Sequence, residues 1–393
     1  MKSTLLFCAL FSSAAFAINS QSYFKDSITA YKADFEGRTK FLISNNNLIK
    51  KDISSIEYFN IAAKDFQAKI DYVLIPSQIK KNLVIIQSGT HGIEGLTGAG
   101  IQNFLLEYLH DKRYAYTSFL YIHLINPWGT FYNRRTNPNN VDLNRNFVVT
   151  ESDFEQKNDD YAKINSFLNP EQPYEHGMFK KLSFYVESVK LILSHSIDTL
   201  RRSILKGQYT HPKGIYYGGN QLQPEFIALK KIWDREVQGY QKVVYIDLHT
   251  GYGEKGKLHL LSGHSSSDSA KKISDMYAPT TVDFGNNKNF YETSGDILTY
   301  FQETHKKSAD IYPVTFEFGT LDSQTILGSL DSLYRMVVEN QTYQHKADST
   351  ESENYSKRMF KEMFYPSDFN WRDKVLDQTK KEIDKVVRKL EDQ

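Results

Sequence analysis

The chain has 393 residues, 40% hydrophobic and 14% aromatic, which is apolar content enough for a sizeable core and excludes a disordered chain. Lys plus Arg total 48 against 47 for Asp plus Glu, so no bulk charge draws the chain to nucleic acid or to a membrane surface. A single cysteine, Cys8, excludes a disulfide framework.

The first residues read as an export signal: Lys2, the apolar run Leu5–Phe11, and Ala15-Phe16-Ala17 as a small-x-small cleavage site. The apolar run is too short to span a bilayer. The expectation is a signal peptide over residues 1–17 and a mature chain over 18–393, periplasmic or secreted, with no membrane span. Cleavage there removes Lys2 and Cys8, so any zinc site in the mature chain must use histidine and carboxylate ligands.

Helical spacing of Phe24, Ile28, Tyr31 and Phe35 predicts a helix over Ser22–Leu42. Paired strands are expected between Ile61 and Pro76, then a strand at Leu83–Gln87 that ends abruptly in Ser88-Gly89-Thr90-His91-Gly92-Ile93-Glu94-Gly95. The next helix carries Ile101, Phe104, Leu105, Tyr108 and Leu109 on one face. Phe119–Ile125 is a continuous apolar run of buried-strand type. A single long helix is expected from about Glu175 to Lys206, its stripe of Phe179, Leu182, Val186, Val189, Leu193, Ile197, Leu200 and Ile204 read as core. Strands follow at Val243–Ile246, Leu258–Leu261 and Tyr312–Phe316. A charged amphipathic helix over about 371–390 closes the chain. With no internal repeat and no low-complexity linker, this alternation argues for one α/β domain with a mixed, largely parallel sheet flanked by helices.

Two strand ends deliver histidines, His91 and His249, and Glu94 follows His91 by three residues. Imidazole and carboxylate together suit a divalent ion of zinc type, and three such ligands leave a fourth position open, as in catalytic zinc sites. Asp247, two residues before His249, is either a partner that orients the imidazole or a structural strand-end acid. Gly251-Tyr252-Gly253-Glu254-Lys255-Gly256 matches the dinucleotide-binding glycine pattern, but a strand follows where that chemistry needs a helix N-terminus. Between the histidines, Asn133–Asn137 and Asn140–Phe147 hold a dense set of guanidinium and amide groups suited to gripping an anion. Glu317, flanked by aromatics at a strand end, can act in proton transfer if its setting is apolar. No Gly-x-Ser-x-Gly elbow supports a serine hydrolase.

Taken together, His91-x-x-Glu94, Asn126-Pro-x-Gly129, Val141-Asp-Leu-Asn-Arg-Asn146, Asp247-Leu-His249 and Glu317 resemble, in type and order, the zinc carboxypeptidase superfamily. That superfamily includes carboxypeptidase A and the succinylglutamate desuccinylase/aspartoacylase enzymes. The wording of Ser88–Gly95, Gly207–Gly214 with Tyr217-Gly-Gly219, Glu317–Thr320 and Phe364–Asp368 looks most like a bacterial branch catalogued as a domain of unknown function.

The resemblance implies a single zinc-carboxypeptidase-like domain with a helical insertion at about 151–241, binding one zinc ion through His91, Glu94 and His249. Glu317 would be general base and acid, and Arg135, or its neighbour Arg134, would stabilise the oxyanion. Asn144 and Arg145 would bind the substrate's terminal carboxylate. The implied activity is hydrolysis of a peptide or amide bond near a free carboxylate. An N-acyl amino acid deacylase, a cell-wall peptide amidase and a non-enzymatic binding protein stand as alternatives. The mobile tyrosine of carboxypeptidases has no clear counterpart, Tyr252 being the nearest to a ligand in sequence.

Overall fold

The structure, a computed structural model, describes residues 20–45, 54–57, 69–109, 112, 114–263, 266–285 and 294–392. The expected export signal and the first of the strands expected after Ile61 therefore lie outside the described residues.

The first half comprises α1 (Ile28–Asn45), β1 (Ser54–Glu57), β2 (Lys69–Ile75), β3 (Asn82–Ser88), α2 (Gly95–Tyr108), β4 (Thr117–His123) and α3 (Pro127–Tyr132). Helices α4 (Asp159–Leu168), α5 (Met178–His195), α6 (Ile197–Leu205) and α7 (Pro224–Glu236) follow. The second half comprises β5 (Lys242–Gly251), β6 (Leu258–Ser262), α8 (Ser267–Tyr277), β7 (Val282–Phe284), α9 (Ile297–His305) and β8 (Asp310–Gly319). Three helices end the chain: α10 (Ile326–His345), α11 (Thr350–Phe364) and α12 (Phe369–Glu391). None of the described helices is long and apolar enough to cross a membrane.

The eight strands form one sheet in the order β1-β2-β4-β3-β5-β8-β6-β7. Its centre, β4-β3-β5-β8, is wholly parallel, while β1, β2 and β6 pair antiparallel toward the edges. The fold is thus the α/β, mixed and largely parallel sheet that the alternation of elements predicts. Central strands read as unbroken apolar runs because both faces are covered. Along β3, Val84 and Ile86 pack on one side with α1, α2 and α12 residues such as Tyr31, Ile101 and Val387, whereas Leu83 and Ile85 pack on the other with Leu229 and Trp233 of α7.

The order of these strands locates the site. The chain runs from β3 through α2 to β4 on one side, yet β5 pairs with the opposite edge of β3. The C-terminal ends of β3 and β5 therefore flank a point where connections diverge, the crevice in which open parallel sheets bind ligands.

Several local expectations shift. The first helix begins at Ile28 rather than Ser22, because the Ser27 hydroxyl accepts from Ala30 N–H and caps it there. The single long helix from Glu175 to Lys206 is two helices broken at Ser196, whose φ of 62° and ψ of 152° lie outside helical space. Its stripe is not core along α5: Phe179, Leu182, Val186, Val189 and Leu193 are exposed, and only on α6 is Ile204 buried. Apolar residues cover most of the circumference of α5, and the face that packs inward carries Phe184 and Leu191 instead. The C-terminal helix behaves as expected, burying Trp371, Leu376, Ile383, Val387 and Leu390.

Candidate metal centre and cleft

The turn after β3 is built by small residues. Gly89 has φ 75°, and a Cβ on Gly92 would lie 2.3 Å from the Gly129 carbonyl carbon, so the turn seats directly on α3. Gly92 and Ile93 donate their N–H groups to Arg135 and Arg134 carbonyls, and the Thr130 hydroxyl donates to the Gly92 carbonyl. Fixed this way, the turn ends with Glu94 at the start of α2. His249 sits near the end of β5, in register with Glu317 on β8.

His91, Glu94 and His249 are all buried, and one ligand atom from each lies within 4.8 Å of the others. The two Nδ1 atoms are 3.1 Å apart, and Glu94 offers Oε1 to His91 Nδ1 at 2.8 Å and Oε2 to His249 Nδ1 at 2.9 Å. Each ring's far nitrogen is held by a second carboxylate. His249 Nε2 donates to Asp247 Oδ2 at 2.7 Å, and His91 Nε2 lies 3.0 Å from Asp142 Oδ1. Arg135 Nη2 also approaches His91 Nε2, at 2.7 Å, and would need it as an acceptor. The two contacts exclude each other: when Nε2 carries the proton and donates it to Asp142, Arg135 is left with Asp142 and Glu94 as partners and Nδ1 keeps a lone pair. Two imidazole lone pairs and a carboxylate then face one point, with the far nitrogens fixed by acids, which is how metal-binding histidines are oriented. The donor set fits a metal ion of zinc type, and the trio can hold one.

Without an ion, the same three groups interact as acids and bases. Burial would raise the Glu94 pKa, but the His91 and His249 charges outweigh it and hold the carboxyl well below its ordinary range. Burial opposes a charge on His249, yet Asp247 and Glu94 hold its pKa well above the usual value. Glu317 goes the other way: burial, then the Glu94 charge, push its carboxyl up to about 8. Two acids lining the same cleft are thereby driven apart in proton affinity, the pattern of a site with divided roles. Tyr252 N–H donates to Glu317 Oε1 at 2.9 Å.

The cluster opens into a cleft of about 780 Å³ whose lining includes Arg135, Asn144, Arg145 and Glu317 as well as the three clustered residues. Arg135 pairs with Glu94 Oε1 at 3.1 Å and with Asp142 Oδ2 at 3.0 Å. Its neighbour points elsewhere. Arg134 pairs with Glu339 at 3.2 Å, donates to Thr136 and Asn140, and stacks 3.6 Å from the Tyr343 ring centre. Arg134, the alternative to Arg135 for contact with substrate, is thus held against α10, and Arg135 is the arginine that faces the cluster. Arg145 donates to the Asn144 and Leu205 carbonyls, while its buried Nε–H has no hydrogen-bond partner among the described residues. Asn144 Oδ1 accepts from Ile297 N–H at the start of α9, leaving its NH₂ for the cleft.

Sequence reading gave no role to Asp142, although it stands inside the Val141–Asn146 phrase. Its two oxygens meet Arg135, seven residues earlier, and His91, 51 residues earlier, the second a long-range contact that no local pattern encodes. Tyr216 was also missed. It lines the cleft with φ 55°, its ring 5.2 Å from the Arg135 guanidinium carbon and 5.6 Å from that of Arg145. Positive φ on a tyrosine is strained and is a signal only a backbone can supply. Tyr252, the nearest tyrosine in sequence, contributes its backbone N–H to Glu317.

No curated protein matches the chain. Among solved structures, it is similar to bovine thrombin-activatable fibrinolysis inhibitor in complex with tick carboxypeptidase inhibitor, at 13% identity, covering 81% of this chain and 97% of that one, with a TM-score of 0.47. It is similar to murein-tripeptide amidase of Escherichia coli O157 at 15% identity, covering 73% and 92%, with a TM-score of 0.35. An aspartoacylase family protein from Mesorhizobium loti matches at 11% identity, covering 75% and 69%, also with a TM-score of 0.35. The family described as a protein of unknown function, DUF2817, matches residues 35–378, and the chain belongs to that family.

Proposed function

We propose that the chain is a zinc-dependent hydrolase that cleaves a peptide or amide bond next to a free carboxylate, in the manner of a carboxypeptidase. The observation that carries this reading is the pair of histidines with Nδ1 atoms 3.1 Å apart beside Glu94, their Nε2 atoms held by Asp142 and Asp247, in a cleft that also contains Glu317. His91, Glu94 and His249 would hold one zinc ion per chain. That ion would supply Lewis acidity, polarising a carbonyl and letting water ionise near pH 7.

The protein's own groups divide the remaining work. Glu317 takes the proton from the attacking water and passes it to the leaving amine. Its Oε1 is fixed by Tyr252 N–H, which leaves Oε2 to carry the proton. Arg135 donates to the oxyanion that develops on the amide carbonyl, a contact of a kind worth roughly 3–4 kcal/mol in the transition state. Asn144 and Arg145, which both line the cleft, receive the substrate carboxylate. The N-terminal Lys2–Ala17 segment supports export of this activity to the periplasm or medium.

The test begins with metal. Purified protein should contain one zinc per chain by mass spectrometry, and His91→Ala and His249→Ala should each lose it. A substrate panel of N-acyl amino acids, C-terminal dipeptides and cell-wall peptides then separates the activities that share this chemistry. Failure of the native chain to take up zinc after incubation with the ion would overturn the proposal.

A further inference from the structure

The cleft has two walls of different chemistry. From β6, β7 and the start of α9 come Ser262, Asp283 and Asp296. From the helices between β4 and β5, and from α10, come Ile164 and Phe167 (α4), Leu191 (α5), Leu200 and Ile204 (α6) and Leu333 (α10). These six belong to one apolar cluster that also holds Tyr216, so the wall is continuous with the ring beside Arg135 and Arg145. Most polar groups on this side are engaged, the buried Ser332 hydroxyl of α10 being the one without a hydrogen-bond partner among the described residues. The Ser188 hydroxyl donates to the Phe184 carbonyl of its own helix, and Arg201 donates to the Ser323 and Gln324 carbonyls and the Ser329 hydroxyl. An apolar surface left open inside a cleft of about 780 Å³ gains free energy only from an apolar occupant.

We propose that this helical wall receives the apolar half of an amphiphilic amide, so that the substrates are N-acyl amino acids with a medium-chain acyl group and a free carboxylate. The inference rests on the hydrolase reading for the position of the scissile bond. The wall itself is independent of it. Carboxylate and acyl chain bind at opposite chemistries: the carboxylate at Arg145 and Asn144, the chain along α4, α6 and α10. Peptides with apolar side chains share part of this chemistry and form a separate arm of the test.

The experiment measures affinity and turnover separately. Calorimetric titration of zinc-loaded Glu317→Gln protein with N-acetyl-, N-butanoyl-, N-hexanoyl- and N-octanoyl-glutamate should show affinity rising about threefold per methylene. The octanoyl-to-acetyl ratio should exceed a hundredfold. In Leu191→Asn and Leu200→Asn, both at partly buried positions, that ratio should fall at least fivefold, while Leu200→Met should keep most of it. Circular dichroism and zinc content report whether each variant is folded. A ratio near one, or a ratio unchanged in both asparagine variants, overturns the proposal. So does a gain for N-acetyl-phenylalanyl-glutamate without one for the octanoyl compound, which would make the wall a peptide side-chain subsite. Hydrolysis by the native enzyme is followed in parallel. Chain-length-dependent binding with no hydrolysis would sink the hydrolase reading and leave the wall standing. Equal binding of all chain lengths with hydrolysis intact would do the reverse.

Discussion

Replacing Glu317 with glutamine tests the buried acid without needing a substrate. Glu317 is 8% exposed, and burial followed by the Glu94 charge pushes its carboxyl up to about 8. In the unfolded chain a glutamate ionises near 4.3–4.5, as free carboxylates do. Between those values the folded metal-free protein holds a proton that the unfolded chain has released, so stability falls as pH rises from about 4.5 to about 8. At pH 7 the gap is about 2.5 pH units, an upper bound of roughly 3.4 kcal/mol at 1.36 kcal/mol per unit. Relaxation around the charge reduces this, and roughly 1–3 kcal/mol is expected. Glutamine keeps the shape and the acceptor for Tyr252 N–H but cannot ionise. Metal-free Glu317→Gln should therefore be more stable than the native chain at pH 7 and equal to it at pH 4, by urea unfolding. With zinc bound the advantage should shrink, because a cation near the carboxyl favours its ionised form. A stability difference of the same size at pH 4 and pH 7, or a variant less stable at pH 7, would refute the reasoning. The same substitution should lower turnover by about 10²–10⁴ while zinc is retained.

Asp142→Asn and Asp247→Asn should each weaken zinc binding by about 10–100-fold, because each removes the carboxylate that fixes a histidine's ring and tautomer. Competition with a chromophoric chelator measures this, and unchanged affinity in both variants would mean that the histidines are not oriented in this way. Gly92→Ala places a methyl 2.3 Å from the Gly129 carbonyl carbon, so the turn carrying His91 and Glu94 must lift off α3. A loss of about 2–3 kcal/mol of stability is expected, in the range of overpacked sites, together with weaker zinc binding. A native-like melting curve would show that the contact is not as close as described.

Much of the candidate metal centre was legible in the chain because its parts are local. A strand that stops in Gly-Thr-His-Gly-Ile-Glu-Gly, and another that stops in Asp-Leu-His, each place a ligand at a predictable point on a period-two element. The failed dinucleotide reading was equally local: β6 follows the Gly251–Gly256 segment, as the apolar alternation of Leu258–Leu261 requires. Helices α3, α4 and α7 to α11, with the short strands β1 and β7, went unassigned. Their apolar positions are spread among polar ones, whereas the central strands stand out as unbroken apolar runs.

The sequence by itself determined that a histidine and an acid follow β3, that another histidine ends β5, and that both strands are buried on two faces. Tertiary structure decided everything that depends on which distant segments meet. Only the sheet order, with β5 against the edge of β3 opposite β4, brings His249 to His91 across 158 residues of chain. Only packing turned Arg134 toward Glu339 and Arg135 toward Glu94, since two adjacent arginines carry no local signal of direction. The same holds for α5, where apolar residues nearly encircle the helix and the neighbours chose the buried face. Periodicity encodes how each segment folds and what it can bury, while partner choice is a property of contacts that no window of neighbouring residues contains.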